Sequence, residues 1–237
     1  MKKPLTDIHQ HLLWGLDDGA KSSEIMQKML GKAARQGITR IAATPHATPG
    51  FEPFDMGKYR ERLAEAQSFC KTNDLSIKIF PGAEVMWTYQ TVTALRQGAV
   101  PTLAGTDHVL LELPYTCTLN EAREAVQALR RAGYLPVLAH VERYRCFSWS
   151  PRDAVKFHEQ TGAAFQMNAG TLLYPHGLME KHFVRVMLDE YCLDAVATDA
   201  HGRPERPINL RAAYKWLREN TDADYADELV NFLGDPK

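Results

Sequence analysis

Residues 5–11 carry the sequence Leu-Thr-Asp-Ile-His-Gln-His, in which a short, largely apolar run ends on two histidines. The run Leu5–His9 has the length and composition of a buried strand in a parallel sheet. His9 and His11 are two residues apart, so their side chains point to the same side of an extended chain. This stretch therefore predicts the first strand of the fold and two neighbouring imidazoles at its carboxyl end.

Six further stretches have the same character, since each is short, rich in Val, Ile, Leu or Ala, and bounded by Gly, Pro or polar residues. These predicted strands are Thr39–Thr44, Ser76–Glu84, His108–Leu113, Leu135–His140, Ala163–Asn168 and Asp194–Thr198. Amphipathic patterns predict helices over residues 22–37, 55–70, 120–133, 150–162, 208–220 and 225–233, with a weaker one in Thr88–Gly98. In the first helix, Ser22 or Ser23 can cap the start and Gly37 suits the end.

Strands that alternate with helices predict a parallel sheet, either open and doubly wound or closed into a barrel. No glycine-rich phosphate-binding fingerprint follows the first strand, so a dinucleotide-binding open sheet is unsupported. Polar residues at the strand ends favour a barrel, because a barrel brings these ends to one rim, whereas an open sheet spreads them along a line. They are His9, His11, His46, Glu84, Glu112, His140, Asn168, Asp199 and His201. The predicted fold class is α/β, a closed barrel of parallel strands.

The composition excludes several functional classes. The chain has 237 residues, with 28 Lys and Arg against 29 Asp and Glu. This balance gives no electrostatic basis for binding nucleic acid non-specifically or for binding an anionic membrane. No apolar run reaches the roughly 18 residues of a membrane-spanning helix, so we expect no membrane insertion. The two lysines near the start are followed by polar residues before any apolar stretch, so we expect no secretion signal.

The four cysteines form no Cys-x-x-Cys pair, and in a chain of this length we expect free thiols in a reducing cytoplasm. Two of them match Cys-x5-Arg, the skeleton of thiol-based tyrosine phosphatases: Cys117 with Arg123, and Cys146 with Arg152. The intervening residues include no glycine from which a phosphate-cradling loop could be built. This alternative is therefore weak.

Five of the nine histidines fall at predicted strand ends together with carboxylates. A single buried histidine is more often a core residue, and a single strand-end acid more often caps the next helix. The joint pattern instead indicates a mixed nitrogen and oxygen ligand set suited to Mn, Fe or Zn. Asp18, Glu84, Glu112 and Asp199 would repel one another unless two or three divalent cations lay among them. Such a pocket would attract a phosphate dianion. The histidines to which we assign no role are His108, His158, His176 and His182.

Seven motifs occur in a specific order between Asp7 and Gly202: DIHQHLLWGLDDGAKS, IAATPHAT, FPGAEV, LLELP, LAHVERY, QMNAGTL and ATDAHG. In these motifs the chain resembles the polymerase-and-histidinol-phosphatase (PHP) superfamily. The likeness is closer to the bacterial tyrosine-phosphatase branch linked to capsule and exopolysaccharide synthesis. The resemblance implies a distorted (β/α)7 TIM-like barrel, one domain over residues 1–237, and three metal ions, usually manganese.

Carried over residue by residue, the resemblance implies three ion sites. The first is His9, His11, Glu84 and Asp199. The second is His46, His140 and a bridging Glu84. The third is Asp18, Glu112 and His201.

Two other acids near these motifs are given supporting or solvent-exposed positions. The family motif puts a ligand directly before Gly19, so Asp18 is chosen over Asp17 and Asp17 is expected to be a solvated loop residue. Asp7 has the same strand parity as His9, and we expect it to hydrogen-bond a ligand.

Arg143, three residues after His140, is the candidate for a planar bidentate contact to phosphate, and its alternative is a surface pair with Glu142. Arg206 is the second candidate and Arg203 the fallback, although both could be solvated loop charges. The aromatic residues closest to the motifs could flank a phosphotyrosine ring or, the better interpretation for each alone, pack beneath the rim. They are Trp14, Trp87 and Tyr144.

The resemblance implies a metal-dependent phosphomonoesterase that attacks phosphorus with a metal-activated hydroxide. The favoured function is a cytoplasmic protein-tyrosine phosphatase that acts on a tyrosine kinase of polysaccharide assembly. Three alternatives stay open. One is a PHP phosphoesterase for a small molecule such as histidinol phosphate, another is an amidohydrolase barrel, which also opens with His-x-His, and the third is a non-catalytic metal-dependent binding module.

Overall fold

The computed structural model describes residues 4–233. The two N-terminal lysines that bear on the expectation about a secretion signal lie outside the described residues. Across residues 4–233, no helix is both long enough and apolar enough to cross a membrane.

Between residues 4 and 233 the chain forms parallel strands only, and these are nine in number. They are β1 (Leu5–Gln10), β2 (Ile38–Ala43), β3 (His46–Ala47), β4 (Lys78–Pro81), β5 (Glu84–Met86), β6 (His108–Glu112), β7 (Leu135–Leu138), β8 (Ala164–Asn168) and β9 (Ala195–Ala197). The predicted α/β class and the parallel arrangement of its strands are confirmed.

The predicted strand Ser76–Glu84 is divided between β4 and β5, and β3 lies just beyond the predicted end of the second strand at Thr44, which accounts for nine strands. Pro45 separates β2 from β3, because proline has no N–H for the strand ladder. Gly82 separates β4 from β5, and a Cβ at this residue would lie 2.9 Å from Cγ2 of Thr44. The N–H of Gly82 instead donates to the hydroxyl of Tyr59 at 2.8 Å. These two breaks distort the barrel next to His46 and Glu84.

The strands form two sheets, ordered β1-β2-β4 and β3-β5-β6-β7-β8-β9. The chain just beyond β9 returns to the end of β1, where Asp199 N donates to His9 O at 2.8 Å and His11 N donates to Ala200 O at 3.0 Å. This seam brings the first and last strands together. The curled sheet therefore gathers its carboxyl ends at one rim, as the sequence predicts.

The helices found in residues 4–233 cover the outside of the sheet. They are α1 (Ser23–Gln36), α2 (Met56–Thr72), α3 (Thr91–Arg96), α4 (Leu119–Arg131), α5 (Arg145–Ser148), α6 (Pro151–Thr161), α7 (Ala169–Leu173), α8 (Gly177–Asp189), α9 (Leu210–Asn220) and α10 (Ala223–Leu229). In α1 the Ser22 side chain accepts from the backbone of Ile25, and Gly37 ends the helix with φ 75°. The predicted caps of this helix are confirmed.

Helix α8 was not predicted, although it buries Phe183, Val184 and Met187 against the core. Its N-cap residue His176 makes no side-chain capping bond, so the usual start signal is missing. Leu178 lies in its first turn yet is 84% exposed, so the apolar residues of α8 do not all lie on one buried face.

The apolar residues separate into two buried clusters. The larger one joins the helices to the outer face of the sheet. The smaller one contains no α-helical residue among residues 4–233, as expected of side chains that fill the inside of a barrel. Its members are Ile8, Ala42, Leu103, Leu110, Val137, Ala139, Ala195 and Ala197.

Candidate metal centre

Nine side chains from six strand ends and their following loops converge at the carboxyl rim of the barrel. Three overlapping groups of metal-ligand atoms can be drawn among them, with all atoms of a group within 4.8 Å of one another. Glu84 belongs to two of these groups and is fully enclosed, with 1% of its side chain exposed. It is the central carboxylate of the cluster.

The first group joins His9, His11, Glu84 and Asp199, all of which are buried. Nε2 of His9 and Nε2 of His11 lie 3.1 Å apart, and each lies 3.1 Å from Oε2 of Glu84. Both nitrogens are also 3.5 Å from Oδ1 of Asp199. Two imidazole nitrogens and two carboxylate oxygens therefore face one point, which is the mixed ligand set that divalent metals bind.

Hydrogen bonds behind the two imidazoles direct their Nε2 atoms toward that point. Nδ1 of His9 lies 3.0 Å from Oε1 of Gln166, and Nδ1 of His11 lies 2.6 Å from Oδ2 of Asp17. Each of these oxygens accepts a hydrogen bond, which places an N–H on Nδ1 and leaves Nε2 as the nitrogen available to a metal ion.

Asp17 is a correction to the sequence analysis, which expected a solvated loop residue. Its side chain is only 5% exposed, and besides His11 it accepts from the backbone N–H groups of His46 and Gly19. Gly19 is required at its position, because a Cβ there would lie 2.3 Å from His11 O. The loop is thereby folded tightly, with Asp17 turned inward behind His11 and Asp18 turned toward the cluster.

The second group joins His46, Glu84 and Glu112, and His140 lies against it. Nε2 of His140 lies 2.7 Å from Oε1 of Glu84 and 3.6 Å from Oε1 of Glu112. Burial, reinforced by the charge of Glu84, raises the pKa of Glu112 to about 7. This environment makes a cation between the two carboxylates favourable.

The third group joins His11, Asp18, His46 and His201. Oδ1 of Asp18 lies 3.1 Å from Nε2 of His201 and 3.5 Å from Nε2 of His46. The structure thus places His46 beside Asp18 and His201, whereas the resemblance assigned Glu112 to that site. Glu112 lies instead with Glu84 and His140.

Two ligand-bearing residues have backbone angles that L-amino acids rarely adopt. His140 has φ 34° and Asp199 has φ 51°. Each lies two residues beyond the end of its strand, at the rim, and the left-handed conformation turns its side chain into the cluster. Strained backbone of this kind concentrates at functional sites, where the surrounding structure holds it.

Buried carboxylate oxygens that lack a hydrogen-bond partner test whether the cluster fits cations. Among the described residues, Oε2 of Glu84 and Oδ1 of Asp199 are buried and make no hydrogen bond. A buried carboxylate oxygen without a donor is costly unless a cation or a charged imidazole compensates it. Burial alone would lower the pKa of His11, but its hydrogen bond to Asp17 and the nearby charge of Glu84 raise that pKa to about 10. The carboxylate oxygens that favour a proton on His11 also attract a metal ion. The residues of the cluster therefore fit a divalent cation.

Asp199 connects the cluster to two arginines. Its Oδ2 accepts from Arg206 Nη2 at 2.6 Å and from Asn168 Nδ2 at 2.9 Å, and it lies 3.1 Å from Arg143 Nη2. The ion-pair partner of Arg143 is therefore Asp199, and the alternative of a surface pair with Glu142 is not observed. Glu142 is buried and accepts from the backbone of Asn168.

The two arginines border a pocket of about 340 Å³ that opens beside Asp199. Arg203 points elsewhere, because its Nη2 binds Oδ2 of Asp18 at 2.5 Å and its side chain is 44% exposed. A second pocket, of about 430 Å³, borders Asp18 and His46. The centre is thus open to solvent on two sides, and the arginine-lined side suits an anion.

The polar residues that hold the ligands in place were largely missed in the sequence. Gln166 is fully buried, and its Oε1 accepts from both His9 Nδ1 and the backbone of His140 at 2.9 Å. Its Nε2 donates to Asn168 Oδ1 at 2.9 Å, and Asn168 in turn donates to Asp199. Gln166 lies two residues before Asn168, and alternate residues of a strand face the same side of the sheet. This alternation along β8 is the sequence signal that places Gln166 on the same side as the strand-end residue.

Asp7 supports the centre in a different way from that expected. It accepts from the backbone and hydroxyl of Thr198, at 3.0 and 2.6 Å, and from Nε2 of Gln10 at 2.9 Å. Its contact with His9 is to the backbone N–H at 3.4 Å and not to the imidazole. Asp7 thus positions the residue before Asp199 and tightens the seam between β1 and β9.

The aromatic residues near the motifs are mostly packing residues. Tyr144 is fully buried and its hydroxyl accepts from Leu113 N at 3.1 Å. Trp14 donates to Glu65 at 2.9 Å and stacks against Arg62. Trp87 borders a separate pocket next to Cys117. The interpretation that they pack around the rim is the one that these contacts favour.

The thiol-based alternative finds no support in the geometry. Cys117 and Cys146 lie next to each other, with their sulfur atoms 3.8 Å apart, and Arg123 donates to Gln160 on α6. Neither cysteine borders the arginine-lined pocket. All four cysteines are free, as the sequence predicts.

Comparisons with known proteins agree with this geometry. A family model described as capsular polysaccharide synthesis, CpsB/CapC, matches residues 5–233. The tyrosine-protein phosphatase YwqE of Bacillus subtilis is 30% identical, over 97% of this chain and 88% of YwqE. The tyrosine-protein phosphatase CpsB of Streptococcus pneumoniae is 26% identical, over 98% of this chain and 97% of CpsB.

A solved structure shares the fold over nearly the whole length. It comes from a study of YwqE and the pneumococcal CpsB, which are described as unique metal-dependent tyrosine phosphatases. It superimposes with a TM-score of 0.86 at 28% identity, covering 95% of this chain and 91% of the other. Since the family model spans almost every described residue, the chain belongs to the CpsB/CapC family of capsular polysaccharide synthesis.

Proposed function

We propose that this chain is a metal-dependent protein-tyrosine phosphatase of polysaccharide synthesis. The observation that carries the proposal is the position of Asp199. Its Oδ1 faces the two imidazoles of the first group, and its Oδ2 lies against two arginines at an open pocket. A phosphate in that pocket would contact guanidinium groups while it lies next to the bound ions. The tyrosine phosphatases YwqE and CpsB, which match along the whole chain, support the same reaction.

The proposed cofactor is three manganese ions, with iron or zinc as alternatives. We infer that His9, His11, Glu84 and Asp199 hold the first. Glu84, Glu112 and His140 hold the second. Asp18, His46 and His201 hold the third. The geometry in support of this division is the set of overlapping ligand groups around Glu84. When bound, divalent cations supply an activated water and neutralise charge on the phosphate oxygens.

Arg143 and Arg206 have the role of binding and orienting the phosphate. Both guanidinium groups lie against Oδ2 of Asp199, and Nη1 of Arg206 also lies 2.5 Å from Nε2 of His201. Arg206 must leave His201 for that nitrogen to bind an ion, which frees its planar fork for two phosphate oxygens. In this arrangement Arg203 pairs with Asp18 and does not touch the substrate.

A polypeptide substrate is favoured over a small molecule by the surface around the centre. Of the nine large apolar side chains that are exposed in residues 4–233, seven lie in the segments that follow the carboxyl ends of strands, on loops or, for Leu178 and Met179, in the first turn of α8. They are Phe51, Tyr89, Tyr115, Trp149, Tyr174, Leu178 and Met179. Aromatic residues at such density are typical of protein-binding surfaces, and a substrate the size of histidinol phosphate would leave them uncovered.

The substrate we propose is a phosphotyrosine on the cytoplasmic tail of a tyrosine kinase of polysaccharide assembly. We also propose that the protein acts in the cytoplasm and that residues 1–237 form one domain. The capsular polysaccharide family supports the biological setting. The near-balanced charge of the chain supports a protein substrate over nucleic acid.

The test compares substrates and metals on one preparation. Protein loaded with Mn²⁺ is expected to hydrolyse p-nitrophenyl phosphate and a phosphotyrosine peptide, and to lose both activities with EDTA but not with iodoacetamide. The Glu84→Gln variant should lose them as well, because both ions of the first two groups share this carboxylate. Faster hydrolysis of histidinol phosphate than of the peptide would favour the small-molecule function. Metal binding without turnover of any substrate would favour the binding module.

A further inference from the structure

Cys117 and Cys146 are two thiols held in contact on the side of the barrel that carries Arg143. Their sulfur atoms lie 3.8 Å apart although the residues are 29 positions apart in the chain. Cys117 lies in the loop between β6 and α4 and is 6% exposed, whereas Cys146 lies in α5 and is partly exposed. The chain therefore brings together two thiols that sequence spacing alone does not connect.

The two segments that carry these thiols are fastened to each other by hydrogen bonds from backbone N–H groups. Arg145 N donates to Tyr115 O at 2.9 Å, and Leu113 N donates to the Tyr144 hydroxyl at 3.1 Å. The loop before Cys117 is also tightened by the bond from Cys117 N to Pro114 O at 2.8 Å. The thiols thus face each other in a fixed frame and do not meet only by chance fluctuation.

The separation of the sulfur atoms is short enough for a bond. A disulfide has a sulfur–sulfur length of about 2.05 Å, so the atoms must approach by roughly 1.8 Å, which side-chain rotation together with a small shift of the two segments can supply. The thiol–thiol contact also lowers the pKa of Cys117, which increases its reactive thiolate fraction. Cys117 borders a surface pocket of about 260 Å³, through which a small oxidant can reach it.

We propose that Cys117 and Cys146 are a reversible redox modification site that a peroxide converts into an intramolecular disulfide. The thiol of Cys117 reduces the peroxide O–O bond, becomes a sulfenic acid and releases one water. The thiol of Cys146 then attacks that sulfur, the S–S bond forms, and the sulfenic oxygen leaves as a second water. The two cysteines lose two hydrogen atoms in total, and one hydrogen peroxide is reduced to two waters.

The bond would act on the phosphate-binding side of the centre. Tyr115 lies two residues before Cys117 and Arg143 three residues before Cys146, and Nη1 of Arg143 lies 3.4 Å from the Tyr115 hydroxyl. Pulling the two segments together displaces this contact, so we expect the KM for p-nitrophenyl phosphate to rise roughly tenfold. This effect on KM depends on the proposed phosphatase function, whereas formation of the bond does not.

The experiment counts thiols in the full-length chain before and after treatment with hydrogen peroxide. After denaturation and alkylation, the number of free thiols is expected to fall from the four of the untreated chain to two. A peptide that links Cys117 to Cys146 should appear, and dithiothreitol should restore all thiols and the KM. The Cys146→Ser variant should form no linked peptide, and the matched Cys192→Ser variant should form it as the unmodified chain does.

Three results would overturn the proposal. They are four free thiols after oxidation, a link between two copies of the chain, and oxidation of Cys117 to a sulfinic acid while Cys146 stays reduced. An unchanged KM in the oxidised form would overturn the effect on substrate binding. If the untreated protein hydrolysed no phosphate ester, only the proposed function would fail, since the thiol count would still decide whether the disulfide forms.

Discussion

Oδ2 of Asp17 lies 2.6 Å from Nδ1 of His11, behind the imidazole and away from the ligand cluster. The carboxylate fixes the His11 tautomer in which Nε2 faces Glu84. It is the same relation that carboxylates hold to metal-binding histidines in other proteins, and it occurs here on a residue that borders a proposed ligand in the sequence.

Replacement of Asp17 should weaken metal binding although Asp17 faces away from the ions. We expect Asp17→Ala to lower Mn²⁺ affinity about 10–100-fold, because His11 loses its orienting acceptor. Calorimetric titration of metal-free protein with Mn²⁺ measures this change. The control is Asp189→Ala on the exposed surface of α8. Equal affinity in the two variants would show that Asp17 has no part in holding His11.

Gln166 should matter to folding stability even without metal. Gln166→Met keeps the length of the side chain but leaves His9 Nδ1 and the backbone N–H of His140 without their acceptor. We expect the free energy of unfolding, measured with urea in EDTA, to fall by about 2 kcal/mol. Gln160→Met is the control, since Gln160 is exposed on α6 and binds only Arg123 among the described contacts. A loss as large in the control would rule out a specific role for Gln166.

The two arginines that follow His201 should differ in their effect on substrate. Arg206→Lys is expected to raise the KM for p-nitrophenyl phosphate about tenfold, because lysine cannot make the bidentate contact. Arg203→Lys should change KM less than about twofold, since its guanidinium lies on Asp18 and away from the pocket of Arg143. Steady-state kinetics at saturating Mn²⁺ measure both. A larger effect from Arg203→Lys would exchange the roles of the two residues.

Aromatic residues at the rim should distinguish a phosphopeptide from a small substrate. Tyr174 borders the arginine-lined pocket and is 72% exposed. We expect Tyr174→Ala to lower kcat/KM for a phosphotyrosine peptide about fivefold, or about 1 kcal/mol, with little change for p-nitrophenyl phosphate. Tyr191→Ala is the matched control, because Tyr191 is 59% exposed at the opposite end of the barrel. Equal losses for both substrates would argue that Tyr174 contacts no part of the peptide.

A histidine far from the centre should give the protein a pH-dependent stability. The hydrogen bond from His158 to Asp194, 2.9 Å long, raises the pKa of His158 to about 9. Since the folded state holds this proton more tightly, the stabilisation is fully present below about pH 6.5 and is lost as the pH rises through about 9. We expect His158→Gln to lower the free energy of unfolding by about 1 kcal/mol at pH 6 and by almost nothing at pH 10.

Urea unfolding at several pH values measures the His158 effect. His182→Gln, which alters an exposed histidine on α8, provides the control. A difference between His158→Gln and the unmodified chain that stays constant from pH 6 to pH 10 would contradict the ion pair as its cause.

Most of the strands were predictable because they leave a complete local signal. The runs that became β6, β7 and β8 are apolar, short and bounded by Gly, Pro or polar residues, and the structure begins and ends them within two residues of the prediction. Helix α8 left no such signal, because its first turn has no side-chain cap and exposes Leu178 and Met179. Local pattern reveals an element only where burial and capping agree with each other.

The side chains of the centre could be found from their place at strand ends, and their partners could not. Asp17 and Asp18 are adjacent acids in one loop, and only the tight approach of Gly19 to His11 O decides which one turns inward. Gln166 is an ordinary amide in an apolar strand, and its role depends on two residues, His9 and His140, that are distant in the chain. Hydrogen bonds between distant strands have no sequence period to reveal them.

The seam at which Asp199 N meets His9 O has a consequence for biosynthesis. During translation the amino-terminal histidine pair leaves the ribosome long before Asp199 is polymerised, since 190 positions separate them. A nascent chain therefore offers a cation an incomplete cage, and full coordination must await the arrival of the last strand. At the proposed metal centre, ion loading is thus an event of the finished polypeptide, and truncated translation products cannot compete for divalent cations with the same affinity.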